Sequence, residues 1–373
     1  MEEKDTFRKG PPIATRGVHA HDASNAMQLS THQWIGVAAF ALAVGLLTPM
    51  VWSWAEKLGF EPDYRLPYEL SNDYWLYDRW ARLASTHCDT VMIGDSVVWG
   101  QYVTRPQTLT HHLNQLAGRE RFANLGLDGA HPAALAGLVE HYGAGIRGKT
   151  IVLNCNPLWM SSPQRDLQEK KELEFNHPEL VPQFSPWIAC YKETVTNRLG
   201  NVIDRNVEFN GWTRHLQHAY FDHSTVPQWT LDHPYTNPFR VLTFRLPPSD
   251  NRLRHSTVSW TKRGIEPQDF PWISLDSSLQ WRSFLRAVKI LQRRGNRVVV
   301  FIGPFNEHLL TPESRARYGN LKADIGSRLR TLNIPSLSPS VLPSELYADA
   351  SHPLAEGYAM LAKEIWVSDQ LRK

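Results

Sequence analysis

Cysteine is scarce in this chain. Cys88, Cys155 and Cys190 are the only three among 373 residues, too few for a disulfide framework and enough for one pair at most. Metal-ligand spacing is missing as well. Sixteen histidines are scattered along the sequence, but none joins cysteines or carboxylates at the intervals a zinc site needs, so neither a metal nor another cofactor is expected. An excess of one charge is also absent: 40 Lys and Arg against 37 Asp and Glu give a net charge of +3. No basic block resembles a nucleic-acid-binding face, and no nucleic-acid partner is expected. Internal repeats and low-complexity tracts are absent too. What remains is a chain long enough for one large domain or two, with ample core.

The amino end carries a long apolar run. From Gln33 to Trp54 the sequence QWIGVAAFALAVGLLTPMVWSW has no charged residue, and about 22 such positions suffice for a bilayer helix. Trp34 at one end and Trp52 and Trp54 at the other sit where interfacial aromatics belong. The run is long for a signal peptide and lacks a small-residue cleavage site; Pro49 kinks a membrane helix without excluding it. Residues 1–32, polar and containing Gly10-Pro11-Pro12, read as a disordered tail. Residues 55–85 read as a juxtamembrane linker. Lys4, Arg8, Lys9 and Arg16 precede the run, against Lys57 and Arg65 after it. That bias keeps the amino terminus inside the cell, and the domain from 86 to 373 is expected outside, anchored to the cell membrane by a single pass.

The most informative residues lie in Thr90 to Gly100, TVMIGDSVVWG. Thr90-Val91-Met92-Ile93 has the character of a buried strand, and Gly94 and Asp95 are turn formers. Ser96 is therefore expected at the carboxyl edge of a sheet, where open α/β folds place ligands. A serine there is a nucleophile if a base takes its proton and donors receive the oxyanion. Near the other end stands Asp349-Ala350-Ser351-His352-Pro353. An Asp three residues before a His can fold back to orient the imidazole and stabilise the imidazolium. Leu354, Tyr358, Leu361 and Ile365 then recur at spacings of three and four, so a helix pins the loop against the body.

A Gly-Asp-Ser strand end near the start and an Asp-x-x-His-Pro before the last helix resemble the SGNH (GDSL-type) hydrolase superfamily. The resemblance covers roughly residues 86–160 and 277–371 and implies two further blocks. One is a glycine after the second strand whose N–H helps form an oxyanion hole. In Asn124-Leu125-Gly126-Leu127-Asp128-Gly129 this falls on Gly129, with Gly126 packing the turn. The other is an asparagine after the third strand, usually in Gly-x-Asn-Asp. Here Asn154-Cys155-Asn156-Pro157 departs from that pattern: Asn154 stands for the glycine and Pro157 for the aspartate. Asn156 keeps the asparagine, and Asn154 is the alternative. Cys155, beside it, reads as a buried thiol. The resemblance thus implies Ser96, His352 and Asp349 as catalytic residues, with the Ser96 and Gly129 amides and the Asn156 side chain as oxyanion donors.

Strands alternating with helices predict a three-layer α/β/α domain with a mostly parallel sheet. Leu279 to Arg294 reads as an amphipathic helix stopped by Gly295, Arg297 to Pro304 as a buried strand, Pro312 to Leu332 as a helix and Asn333 to Leu337 as a short final strand. Asn154, Asn306 and His308 are candidate substrate contacts, and His308 is the rival base to His352. Residues 161–275 form an insertion that the resemblance does not explain. Glu208–Trp212 and Val241–Pro247 could be short strands or loop anchors, and Pro186–Arg205 a helical hairpin. Trp187, Trp212, Trp229, Trp260 and Trp272 either stack on sugar rings or fill the insertion's own core.

The function expected from these features is a membrane-anchored serine esterase acting on an O-acyl ester, carried by an envelope carbohydrate. The same acyl-enzyme would serve an O-acyltransferase fed by a membrane-bound acyl donor. A carbohydrate-binding scaffold without chemistry is the remaining alternative.

Overall fold

The computed structural model describes residues 29–246, 248–368 and 370–371. Most of the expected amino-terminal tail, with Lys4, Arg8, Lys9 and Arg16, lies outside the described residues. The chain divides into two units, Met1–Gly45 and Leu46–Lys373. The described part of the first is the start of helix α1 (Thr31–Ala55), the one helix among the described residues long and apolar enough to cross a membrane. Its best 18-residue window has a mean hydropathy of 2.0.

The second unit is an α/β domain. In chain order it contains α2 (Tyr74–His87), β1 (Thr90–Gly94), α3 (Ser96–Trp99), α4 (Leu109–Ala117), β2 (Phe122–Gly126), α5 (Pro132–Tyr142) and β3 (Thr150–Cys155). Then come α6 (Val195–Asn206), α7 (Glu208–Tyr220), α8 (Val226–Asp232), α9 (Leu279–Arg293), β4 (Arg297–Ile302), α10 (Pro312–Thr331), β5 (Ser336–Leu337) and α11 (Ala355–Val367). The sheet is parallel throughout, in the order β2-β1-β3-β4-β5.

Its strands are apolar on both faces, as a sheet covered by helices on both sides requires. Alternation then sorts them. Val91, Ile93, Ile151, Leu153, Val298 and Val300 face one core with Trp80 of α2, Leu138 of α5 and Phe284 of α9. Met92, Val152, Val299 and Phe301 face the other, with Leu113 of α4 and Leu361 of α11. Because β1 lies between β2 and β3, the loops leaving β1 and β3 diverge at their carboxyl ends, the place where open α/β sheets form a ligand crevice.

Residues 55–85, expected as a linker, contain most of α2, whose Leu76, Tyr77 and Trp80 are buried in the core. The insertion carries three helices, α6, α7 and α8, between long irregular segments. Glu208–Trp212 opens α7 rather than a strand, because Phe209, Trp212, Leu216 and Tyr220 continue a helical spacing that a five-residue window hides. Of its five tryptophans only Trp187 is exposed; Trp229 and Trp260 are buried and the other two half-buried.

One buried network ties this insertion to the end of α1. Glu56, just past the helix, is fully buried and accepts hydrogen bonds from Arg79 at 2.5 Å, from His215 at 3.0 Å and from the Tyr220 hydroxyl. The other nitrogen of His215 lies 2.6 Å from Asp73, which also caps α2 by accepting from the Leu76 amide. Trp52 packs beside this cluster against Trp212, Tyr220 and Phe244. Burial alone would lower the His215 pKa, but Asp73 and Glu56 outweigh it and raise it to about 9. Burial would likewise raise Glu56, yet His215, Tyr220 and Arg79 bring it down to about 2.

The His215 contribution to stability is therefore complete below about pH 6.5 and is lost as pH rises through about 9. Thermal unfolding of the full chain in detergent should show this loss. His215→Leu should remove the pH dependence and cost about 3–5 kcal/mol, because it leaves buried carboxylates short of a cation.

Candidate active site

Four strand-end segments meet at the carboxyl edge of the sheet. Asp95 follows β1 and caps the one-turn helix α3, its carboxylate accepting from the Val97 amide at 2.9 Å. Ser96 is thereby the first residue of that helix, with its own N–H free of the helical ladder. Gly126 ends β2 so close to α3 that a Cβ there would lie 2.2 Å from the Trp99 nitrogen. Gly129, three residues on, has φ +68, a conformation that glycine adopts without strain.

The structure brings Ser96, His352 and Asp349 together. Ser96 Oγ lies 2.8 Å from His352 Nε2, and His352 Nδ1 lies 2.8 and 2.9 Å from the two oxygens of Asp349. Only Nδ1–H can donate to a carboxylate, so Nε2 is the acceptor for the serine hydroxyl. Asp349 Oδ1 also accepts from the backbone amides of Ser351 and His352. Burial by itself would raise the Asp349 pKa, but His352 and these amides hold it far below the usual carboxylate range. Burial would lower His352, and Asp349 raises it above 6.5 instead. Both residues are shielded, Ser96 being 6% and His352 7% exposed.

Asn156 lies beyond β3, where its side-chain oxygen caps the turn Pro157–Met160 by accepting from Leu158 N. Its amide nitrogen donates to Asp95 Oδ2 at 2.8 Å, and Trp159 Nε1 donates to the same oxygen at 2.8 Å. Asp95 thus fixes the Asn156 amide and leaves its second hydrogen without a protein acceptor. Among the described residues, the Ser96 and Gly129 amides donate to no protein atom. Three neutral donors therefore remain free on the segments that follow β1, β2 and β3.

The candidate substrate contacts are placed differently. Asn154 lies within β3 and donates to the Gly303 carbonyl at 2.6 Å, tying β3 to the end of β4. Asn306 is fully buried and donates to the Asp349 carbonyl at 3.1 Å, while its own amide donates to Ala350 O, so it braces the loop that carries Asp349 and His352. His308 is exposed and its Nε2 donates to Leu342 O at 3.0 Å; it makes no contact with Ser96.

Other neighbours had no signal in the sequence. The Asn176 side chain occupies the space a Cβ on Gly129 would need, with Nδ2 2.1 Å from that position. His177 Nε2 donates to the Asp128 carbonyl at 2.6 Å, and its Nδ1 accepts from Tyr74. The His177 pKa is lowered to about 4 by burial, so it acts as a neutral brace. Tyr102 covers His352, ring centroids 5.3 Å apart. These residues come from the insertion, α2 and the loop after α3, and no local pattern marks them.

Neutral His352 is the form that accepts a proton, so reactivity at Ser96 should fall as pH drops through a value above 6.5. The rate of Ser96 labelling by a fluorophosphonate, followed against pH, checks this. Asp349→Asn should shift the midpoint downward and slow labelling by orders of magnitude. Comparison with known proteins names no relative: no protein-family model matches the chain, and no curated protein matches it significantly.

Proposed function

We propose that the chain is a membrane-anchored serine esterase of the SGNH (GDSL) type, acting on O-acyl esters of an envelope carbohydrate. The observation that carries this reading is the continuous Ser96–His352–Asp349 hydrogen-bond chain at a carboxyl-edge crevice. Ser96 Oγ attacks the ester carbonyl carbon as His352 Nε2 takes the hydroxyl proton. The charge that develops on the carbonyl oxygen is received by the Ser96 and Gly129 amides and by the free hydrogen of Asn156 Nδ2. His352 returns its proton to the departing alkoxide, leaving an acyl-enzyme on Ser96. Water, deprotonated by His352, then releases the acid.

Acyl transfer to a sugar hydroxyl is the second reading. The low exposure of Ser96 and His352 favours it, because a shielded acyl-enzyme is slow to meet bulk water and survives until a bound acceptor arrives. The scaffold reading requires an inert Ser96, which the polarised hydroxyl argues against. Turnover of acetyl esters with and without oligosaccharide acceptors separates the three: free acid, acylated sugar, or neither.

The residue predictions follow from the same geometry. Ser96→Ala should abolish turnover while leaving the fold intact, and activity within about tenfold of the parent sinks the assignment. Asn156→Ala should lower kcat by about a hundredfold to a thousandfold with little change in KM, since the donor acts mainly in the transition state. Asn154→Ala should instead lower thermal stability by roughly 1–3 kcal/mol through its lost inter-strand bond. The reverse pattern would hand the oxyanion role to Asn154. A phosphatase reporter fused after Lys373, which lies outside the described residues, should be active if the domain faces away from the cytoplasm.

A further inference from the structure

Among the described residues, most of the exposed apolar side chains of the second unit that lie beyond α1 belong to the insertion, and the segment from Thr225 to Leu246 carries five of them, Val226, Leu231, Tyr235, Phe239 and Phe244. Leu231 is 73% exposed, Phe239 79%, and Tyr235 wholly so. Over these 22 residues the only acid is Asp232, while Arg240 and Arg245 are both exposed cations. A soluble surface does not ordinarily gather such side chains with so little charge between them.

The same segment also touches the end of α1. Trp229, Val241 and Leu242 belong to one apolar cluster with Trp52, and Phe244 lies 4.6 Å from the Trp52 ring. If α1 spans a bilayer, Trp52 and Trp54 mark the level of its headgroups. Whatever packs rigidly around Trp52 is then held at that level. The Glu56–His215–Asp73 network removes the freedom a flexible tether would have given.

We infer that residues 226–245 form a second membrane contact, lying in the bilayer interface with Leu231, Tyr235 and Phe239 among the acyl chains and Arg240 and Arg245 at the lipid phosphates. The composition is that of an interfacial segment: aromatic and aliphatic residues on the buried side, cations at the rim, few acids. Its occupant is lipid rather than protein, because the patch is continuous with a helix whose own exposed residues, Met50, Val51 and Trp54, already require lipid. The inference rests on α1 being a membrane anchor. It gives the domain a fixed orientation, so that the crevice holding Ser96 meets substrates at a set height above the membrane.

The test uses the full chain reconstituted in vesicles containing anionic phospholipid. The native thiols Cys88, Cys155 and Cys190 are buried, so Leu231→Cys, Tyr235→Cys, Phe239→Cys and the control Ser338→Cys each accept an environment-sensitive fluorophore at one exposed site. Labels at 231, 235 and 239 should emit at shorter wavelength and lose most of their intensity to spin-labelled lipid; the label at 338 should respond only to aqueous iodide. Iodide quenching at all four positions overturns the inference. So does protection from both quenchers at 231, 235 and 239, which would mean a protein, such as a second copy of this chain, covers the patch. Carbonate washing separates the two claims. Release of the chain from the vesicles shows that α1 is not an anchor and overturns both, whereas retention with iodide-accessible labels overturns the interfacial contact alone.

Discussion

Ser96 and His352 are 256 residues apart in sequence and 2.8 Å apart in space, and keeping them at that distance is the constraint on which the site depends. The parallel sheet does most of it. Each crossover returns the chain to the same edge, so β1, β2, β3 and β4 all release their loops where Ser96 sits. Side-chain bonds then fix the remainder. The Tyr358 hydroxyl donates to the Val97 carbonyl at 2.7 Å, joining α11 to α3. The Tyr347 hydroxyl donates to Phe305 O at 3.0 Å, and Asn306 holds the Asp349 and Ala350 carbonyls. The loop carrying His352 is thus suspended between the helix that follows it and the loop after β4.

This division explains what could be read from the residues. Strands β1 and β4 are short apolar runs bounded by turn formers, and such signals are local. Asp349 and His352 are three residues apart, so their mutual geometry is a property of one loop. The Ser96 hydroxyl and the His352 ring meet only through the topology, but a parallel α/β pattern makes that topology one of few. Asn154 and Asn156 were harder to tell apart, since both lie near a strand end. The deciding residue is Pro157: it opens a one-turn helix, and the residue before such a proline is its cap. Asn156 thereby leaves the strand, whereas Asn154 stays in the ladder opposite Phe301.

The insertion was opaque for the opposite reason. Glu56 and His215 are separated by 159 residues, and Asp73 and His215 by 142. A lone glutamate after an apolar helix reads as a surface charge. Only the arrival of a histidine, a tyrosine and an arginine around it lets it stay buried, because an isolated buried carboxylate would be protonated instead. Polar networks assembled from distant residues have no periodicity, so Tyr74, His177 and Asn176 were equally invisible.

These two regions are physically joined. Asp73 caps α2 and holds His215; the next residue, Tyr74, donates its hydroxyl to His177 at 2.9 Å; and His177 donates to the carbonyl of Asp128, the neighbour of Gly129. A path of buried hydrogen bonds thus leads from the end of α1 to the loop that presents the Gly129 amide. Every member along it is satisfied within the protein, and fully satisfied buried networks rigidify what they connect. For the proposed oxyanion role of the Gly129 amide this matters, because such a donor contributes only if it is held in place before the charge develops. The insertion therefore stiffens the Asp128–Gly129 loop against α2, the helix whose Asp73 and Arg79 also hold the end of α1.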